Sequence, residues 1–286
     1  MKKISILSSI LIVSSIISLN SCKKKTEVDN ESQSVVDNAL CEQQFMAIQP
    51  VVNDKGISEK GLSNRTNSVT CESWTILGAL GGTNTPNPQL DTIVVGGVFQ
   101  NGPVTFQIDY GTIGCIGADG VYRTGKINVT TAKKWSKYNN LVTVDLVGFK
   151  ANTISYSGQI KITRSDSVTL TVEVLNGVCS NGTWNIEYTG TKTMKQIGGF
   201  STKTISADDD FSIVGSSSGK NRDGRNYSAN ITNAIIKKAS CKFITSGTLV
   251  LTPDGFKPRT VDFGNGACDD DATYTVNDQT IAFKLK

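Results

Sequence analysis

The chain contains no histidine. That absence removes Ser-His-Asp and Cys-His nucleophilic catalysis, histidine-ligated metal sites and imidazole acid–base chemistry together. Glutamate is scarce from residue 70 onward, where only Glu72, Glu173 and Glu187 occur. A carboxylate pair for glycoside chemistry is therefore not marked. No two cysteines have the close spacing of a structural zinc site, so no metal site is expected. Beyond Lys23, Lys24 and Lys25 there is no basic block. From Cys22 on, 27 Lys plus Arg (29 less Lys2 and Lys3) face 25 Asp plus Glu. Nucleic acid is not expected as a partner at that balance, and no cofactor is implied.

Long apolar stretches are missing except at the start. There Lys2 and Lys3 precede the apolar and small run Ile4 to Leu19, which closes on Leu19-Asn20-Ser21-Cys22. The order of charge, short apolar core and small residues is that of a secretory signal, expected over 1–21. A Leu-x-small-Cys tetrad places a lipid-accepting thiol at the cleavage point, so Cys22 is the expected lipidation site. Several acyl chains, at about 0.8 kcal/mol per buried CH2, would hold the chain to membrane lipid. Residues 22–34 then form a polar leash, too poor in apolar side chains to repay the entropy of ordering.

Six further cysteines, Cys41, Cys71, Cys115, Cys179, Cys241 and Cys268, are an even set, which in an oxidising compartment signals a disulfide framework. Residues 35–69 read as a short amphipathic helix, Ser34 to Gln49, stopped by Pro50 and followed by a linker. After Thr70 the chain turns to short runs rich in Val, Ile, Thr and Tyr, cut by Gly, Asn and Asp, the pattern of antiparallel strands. The expected fold is all-β, with antiparallel sheets or sandwiches in series and one short N-terminal helix. The β region divides as 70–150 and 151–286.

An internal echo motivates that division. Asp109-Tyr110-Gly111 leads to Cys115, and Asp262-Phe263-Gly264 leads to Cys268, each cysteine six residues after its Asp. At a strand end, Asp hydrogen-bonds the backbone two residues on and Gly supplies positive φ. Because each turn trails a cysteine that opens a strand, the expected pairs are Cys71 with Cys115 and Cys241 with Cys268, leaving Cys41 for Cys179. Fifteen pairings are possible for six cysteines.

The lipobox, the leash, Asp109-Tyr110-Gly111, the stretch Asp119-Gly120-Val121-Tyr122-Arg123-Thr124-Gly125-Lys126-Ile127 and the ending Val261 to Asp269 resemble a group of Bacteroidetes lipoproteins. The resemblance runs from about the first helix to the C-terminus. It implies an outer-membrane or periplasmic, lipid-anchored, β-rich protein, and carries no residue roles.

Asp208 to Asp210 and Asp269 to Asp271 are acid clusters without calcium-loop spacing, and solvated turn charge is their expected role. Lys133, Trp135 and Tyr138 form a basic and aromatic turn, the expected binding surface. Together these features point to a membrane-anchored envelope lipoprotein that binds or scaffolds, with a glycan or envelope protein as partner. A carboxylate-based glycan hydrolase is the alternative.

Overall fold

A computed structural model describes residues 29–57, 72–79, 103–117, 119–132, 138–202 and 208–286. These form one helix, α1 (Gln33–Ile57), and fourteen strands. In chain order the strands are β1 (Ser73–Ala79), β2 (Val104–Asp109), β3 (Cys115–Ile116), β4 (Tyr122–Thr131), β5 (Leu141–Ala151), β6 (Ile154–Arg164) and β7 (Thr169–Ser180). They continue as β8 (Asn185–Gln196), β9 (Asp210–Lys220), β10 (Asn226–Lys238), β11 (Ile244–Pro253), β12 (Arg259–Asn265), β13 (Asp271–Val276) and β14 (Gln279–Lys284). The protein is all-β with one helix. All fourteen strands belong to one open antiparallel sheet in sequence order, with β3 set beside β4 off the main path. The sheet crosses residue 151 without a break, β5 pairing with β6 there.

Alternation along the strands separates a dry face from a wet one. On β8, Ile186, Tyr188, Gly190, Lys192 and Met194 are buried, while Asn185, Glu187, Thr189, Thr191, Thr193 and Lys195 face water. Polar pairs tie neighbouring strands on the outer face, among them Thr105 with Thr130 at 3.0 Å and Gln107 with Asn128 at 2.8 Å. Apolar-in and polar-out is the reverse of a lipid-spanning barrel. No helix among the described residues is long and apolar enough to cross a membrane.

The inner face wraps α1. Every residue from Asp37 to Pro50 is buried, whereas an amphipathic surface helix buries only a stripe. Contacts reach it from several strands: Tyr156 and Arg164 of β6, Cys179 of β7, Tyr188 and Lys192 of β8 and Ser217 of β9. The Lys286 carbonyl also accepts from Gln43 at 2.9 Å.

Two expectations for this helix are corrected. It is neither short nor one-sided, and Pro50 lies inside it. An interior proline removes one i→i−4 hydrogen bond and costs about 3 kcal/mol. Here the enclosure of Phe45, Met46, Ile48 and Val52 in the core outweighs that cost.

Cys41 is bonded to Cys179, joining α1 to β7 with Cα atoms 6.5 Å apart. Cys241 is bonded to Cys268, joining the turns before β11 and before β13 at 5.9 Å. Cys115 is also in a disulfide; Cys71, its expected partner, lies outside the described residues, as does Cys22.

Candidate binding groove

The turns of the internal echo are built alike. Asp109 Oδ1 accepts from Gly111 N at 2.8 Å, and Asp262 Oδ1 accepts from Gly264 N at 2.9 Å. Both glycines have positive φ, 69° and 97°. The backbone hydrogen bond from Gly111 holds the Asp109 carboxyl below its usual range against opposing desolvation, with further support from Lys126 3.1 Å away. Each Asp is thus engaged in its own turn.

A groove of about 540 Å³ opens on the outer face of β8 to β11. Register explains its lining: Thr189, Ser218, Ser228 and Thr252 form one row across the four strands, and Thr191, Ser216, Asn230 and Val250 form the next. Adjacent strands lie about 4.8 Å apart and the rows about 6.8 Å apart, so the groove presents a fixed grid of small polar groups. Serines on the two central strands leave the depression. Hydroxyls both donate and accept, and the Asn230 amide does the same. No ionisable side chain lines it, so it suits a neutral, hydrogen-bonding ligand and supplies no acid, base or nucleophile activation.

Beneath the groove, the inward members of the same strands clamp α1. Glu42 and Lys192 are buried, with Lys192 Nζ 2.9 Å from Glu42 Oε1. Tyr188 donates its hydroxyl to Glu42 Oε2 at 2.8 Å, and Ser217 Oγ lies 3.3 Å from the same oxygen and 3.2 Å from Asn38 Oδ1. The Lys192–Glu42 contact is one of charge, since neither facing atom makes a hydrogen bond. Burial first, and then the Glu42 charge, raise the Tyr188 hydroxyl well above its ordinary pKa, so it stays a donor. Burial also raises the Tyr227 hydroxyl. A sealed cluster of this kind reaches no substrate, and its physical role is to fix one arrangement of helix against sheet.

No protein-family model, curated protein or solved structure matches this chain.

The residues singled out by sequence are dispersed. Lys133 and Trp135 lie outside the described residues, and Tyr138 is exposed in the β4–β5 turn, away from the groove lining. Glu187 sits on the outer face 3.5 Å from Lys220. Neither Glu187, Glu173, Asp109 nor Asp262 lines the groove. The acid clusters are engaged locally: Asp209 accepts from Gln196 at 2.7 Å, while Asp270 and Asp271 pair with Lys284 at 2.7 and 2.6 Å. Among the described residues, no group of three or more His, Cys, Asp or Glu is disposed to hold a metal ion.

Sequence reasoning missed the groove because Gly215-Ser216-Ser217-Ser218-Gly219 has the composition of a turn. The available signal was the alternation of Phe211, Ile213 and Ser217, whose side chains point inward.

Proposed function

We propose that the protein is a membrane-anchored cell-envelope lipoprotein that binds a neutral, hydroxyl-rich polymer, a polysaccharide chain, along the groove of β8 to β11. The observation that carries this reading is the charge-free grid of Ser, Thr and Asn side chains over a helix-clamped face. A neutral grid matches a neutral glycan, because buried charges would have to be desolvated without a partner. The rigid backing lowers the ordering cost of binding. Each neutral hydrogen bond contributes a net ~0.5–1.5 kcal/mol, so several together imply weak affinity, with Kd on the order of 0.1–1 mM for short oligomers.

The anchor rests on the Leu19 to Cys22 tetrad behind a charged, apolar start. It implies an outer-membrane, lipid-held protein facing the periplasm or the cell surface. The hydrolase alternative finds no carboxylate at this groove. The test is a calorimetric screen of the soluble Cys22→Ser protein against neutral and charged envelope polysaccharides. Heat from neutral chains only is the expected result; binding confined to charged chains, or none, overturns the proposal.

A further inference from the structure

We infer that the protein pairs with a second copy of itself through β14, the two strands running antiparallel about a two-fold axis at Ala282.

Only half of the β14 backbone is used within the chain. Leu285 N donates to the Asp270 carbonyl at 2.8 Å. In the β13–β14 register, Ala272 with Phe283, Tyr274 with Ile281 and Val276 with Gln279 are then the hydrogen-bonded pairs. The N–H and C=O groups of Thr280, Ala282 and Lys284 therefore point away from β13. β14 ends the sheet, and no strand among the described residues lies on that side.

An exposed edge is ordinarily blunted by charge, proline or a bulge. Gln279-Thr280-Ile281-Ala282-Phe283 has neither charge nor proline, and the β13–β14 register runs without a shift. Lys284 is the cation of the strand, and Asp270 and Asp271 already engage it at 2.7 and 2.6 Å. At the opposite edge, β1 carries a register shift between Ile76 and Gly78. The dry face is also incompletely covered at β14. Ile281, opposite the buried Tyr274, is 38 % exposed, and Phe283, opposite the buried Ala272, is half-buried.

Self-complementarity selects the occupant. With Ala282 opposite Ala282 of the second copy, Thr280 and Lys284 face Lys284 and Thr280, and all three outward residues exchange both backbone bonds. No like charges are opposed. On the dry side, Ile281 of each copy meets Phe283 of the other. The exposed Asp278 end of each strand meets the exposed Lys286 end of the other, so the charges at the two ends attract. An isologous contact of this kind closes on itself, so association stops at two.

The test is sedimentation equilibrium of the Cys22→Ser protein and its Ala282→Pro derivative at concentrations up to about 1 mM. Proline at 282 removes only an outward N–H, which an edge strand tolerates. Dimers that Ala282→Pro weakens at least tenfold are expected. Register is read separately from Ala282→Cys and Thr280→Cys variants under mild oxidation. The two 282 positions would lie about 5.5 Å apart between Cα atoms, within disulfide reach, whereas the two 280 positions would be about 14 Å apart. Covalent dimer at least tenfold more abundant at 282 is expected. A monomer at every concentration, assemblies that grow beyond two, undiminished dimers of a folded Ala282→Pro, or equal crosslinking at both positions overturns the inference. Where circular dichroism shows Ala282→Pro unfolded, the cysteine pair decides alone.

Discussion

Replacing Lys192 with Met removes one charge from a pair in which both side chains are 1 % exposed or less. The Glu42 carboxylate then remains buried, holding the Tyr188 hydroxyl and the Ser217 contact but no cation. Breaking a buried pair by deleting one partner costs about 3–5 kcal/mol. Because the tyrosine bond survives, Lys192→Met is expected near the lower figure, about 3 kcal/mol. In the double variant Glu42→Gln/Lys192→Met both charges are gone, and the new amide oxygen still accepts from Tyr188. Its expected loss is about 1 kcal/mol, less than either single change. Urea unfolding of the soluble Cys22→Ser form measures all four corners of the cycle. With a slope near 3 kcal/mol/M, the upper end for such domains, the midpoint falls by roughly 1 M in the Lys192 variant and roughly 0.3 M in the double. A double variant that loses the sum of the two single losses would refute the coupled clamp.

Lys237 is buried, and desolvation lowers its pKa from 10.5 to about 8 against the partial support of Asp119. The unfolded chain thus binds the proton more tightly, so stability rises as pH increases from about 8 towards 10.5. Relative to Lys237→Met, the protein should gain about 2–3 kcal/mol between pH 7 and pH 10, read from urea midpoints; a constant gap contradicts the assignment. Removing the Cys41–Cys179 bridge, whose partners are 138 residues apart, should lower stability by up to about 5 kcal/mol in the chain-entropy model, against about 3.5 kcal/mol for Cys241–Cys268 with 27. Thermal unfolding of the paired Cys→Ser variants checks that order, and the reverse order would argue against an entropic origin.

Local pattern carried much of the fold. The short runs rich in Val, Ile, Thr and Tyr after Thr70 are strands such as β4 and β6, and the Asp-aromatic-Gly turns behave as their chemistry requires. What stayed hidden depends on tertiary context. Pro50 reads as a helix stop, and only enclosure by the sheet carries α1 on to Ile57. β9 was hidden by its serines, which are poor strand formers held between β8 and β10. The groove joins Thr189, Ser218, Ser228 and Thr252, and the clamp joins Glu42 to Lys192, 150 residues away. Such juxtapositions are set by strand register, which a single sequence does not display.

The groove and the Lys133 to Tyr138 turn are rival surfaces for a polysaccharide. Ser218 is exposed on a central strand of the groove, so Ser218→Trp should fill it while suiting a strand. The most direct measurement is calorimetric titration of a neutral polysaccharide into the Cys22→Ser protein and into its Ser218→Trp and Trp135→Ala/Tyr138→Ala derivatives, with folding checked by circular dichroism. Binding in the groove requires at least a tenfold loss of affinity for Ser218→Trp and unchanged affinity for the turn variant. Full binding by Ser218→Trp, with loss in the turn variant, would contradict it.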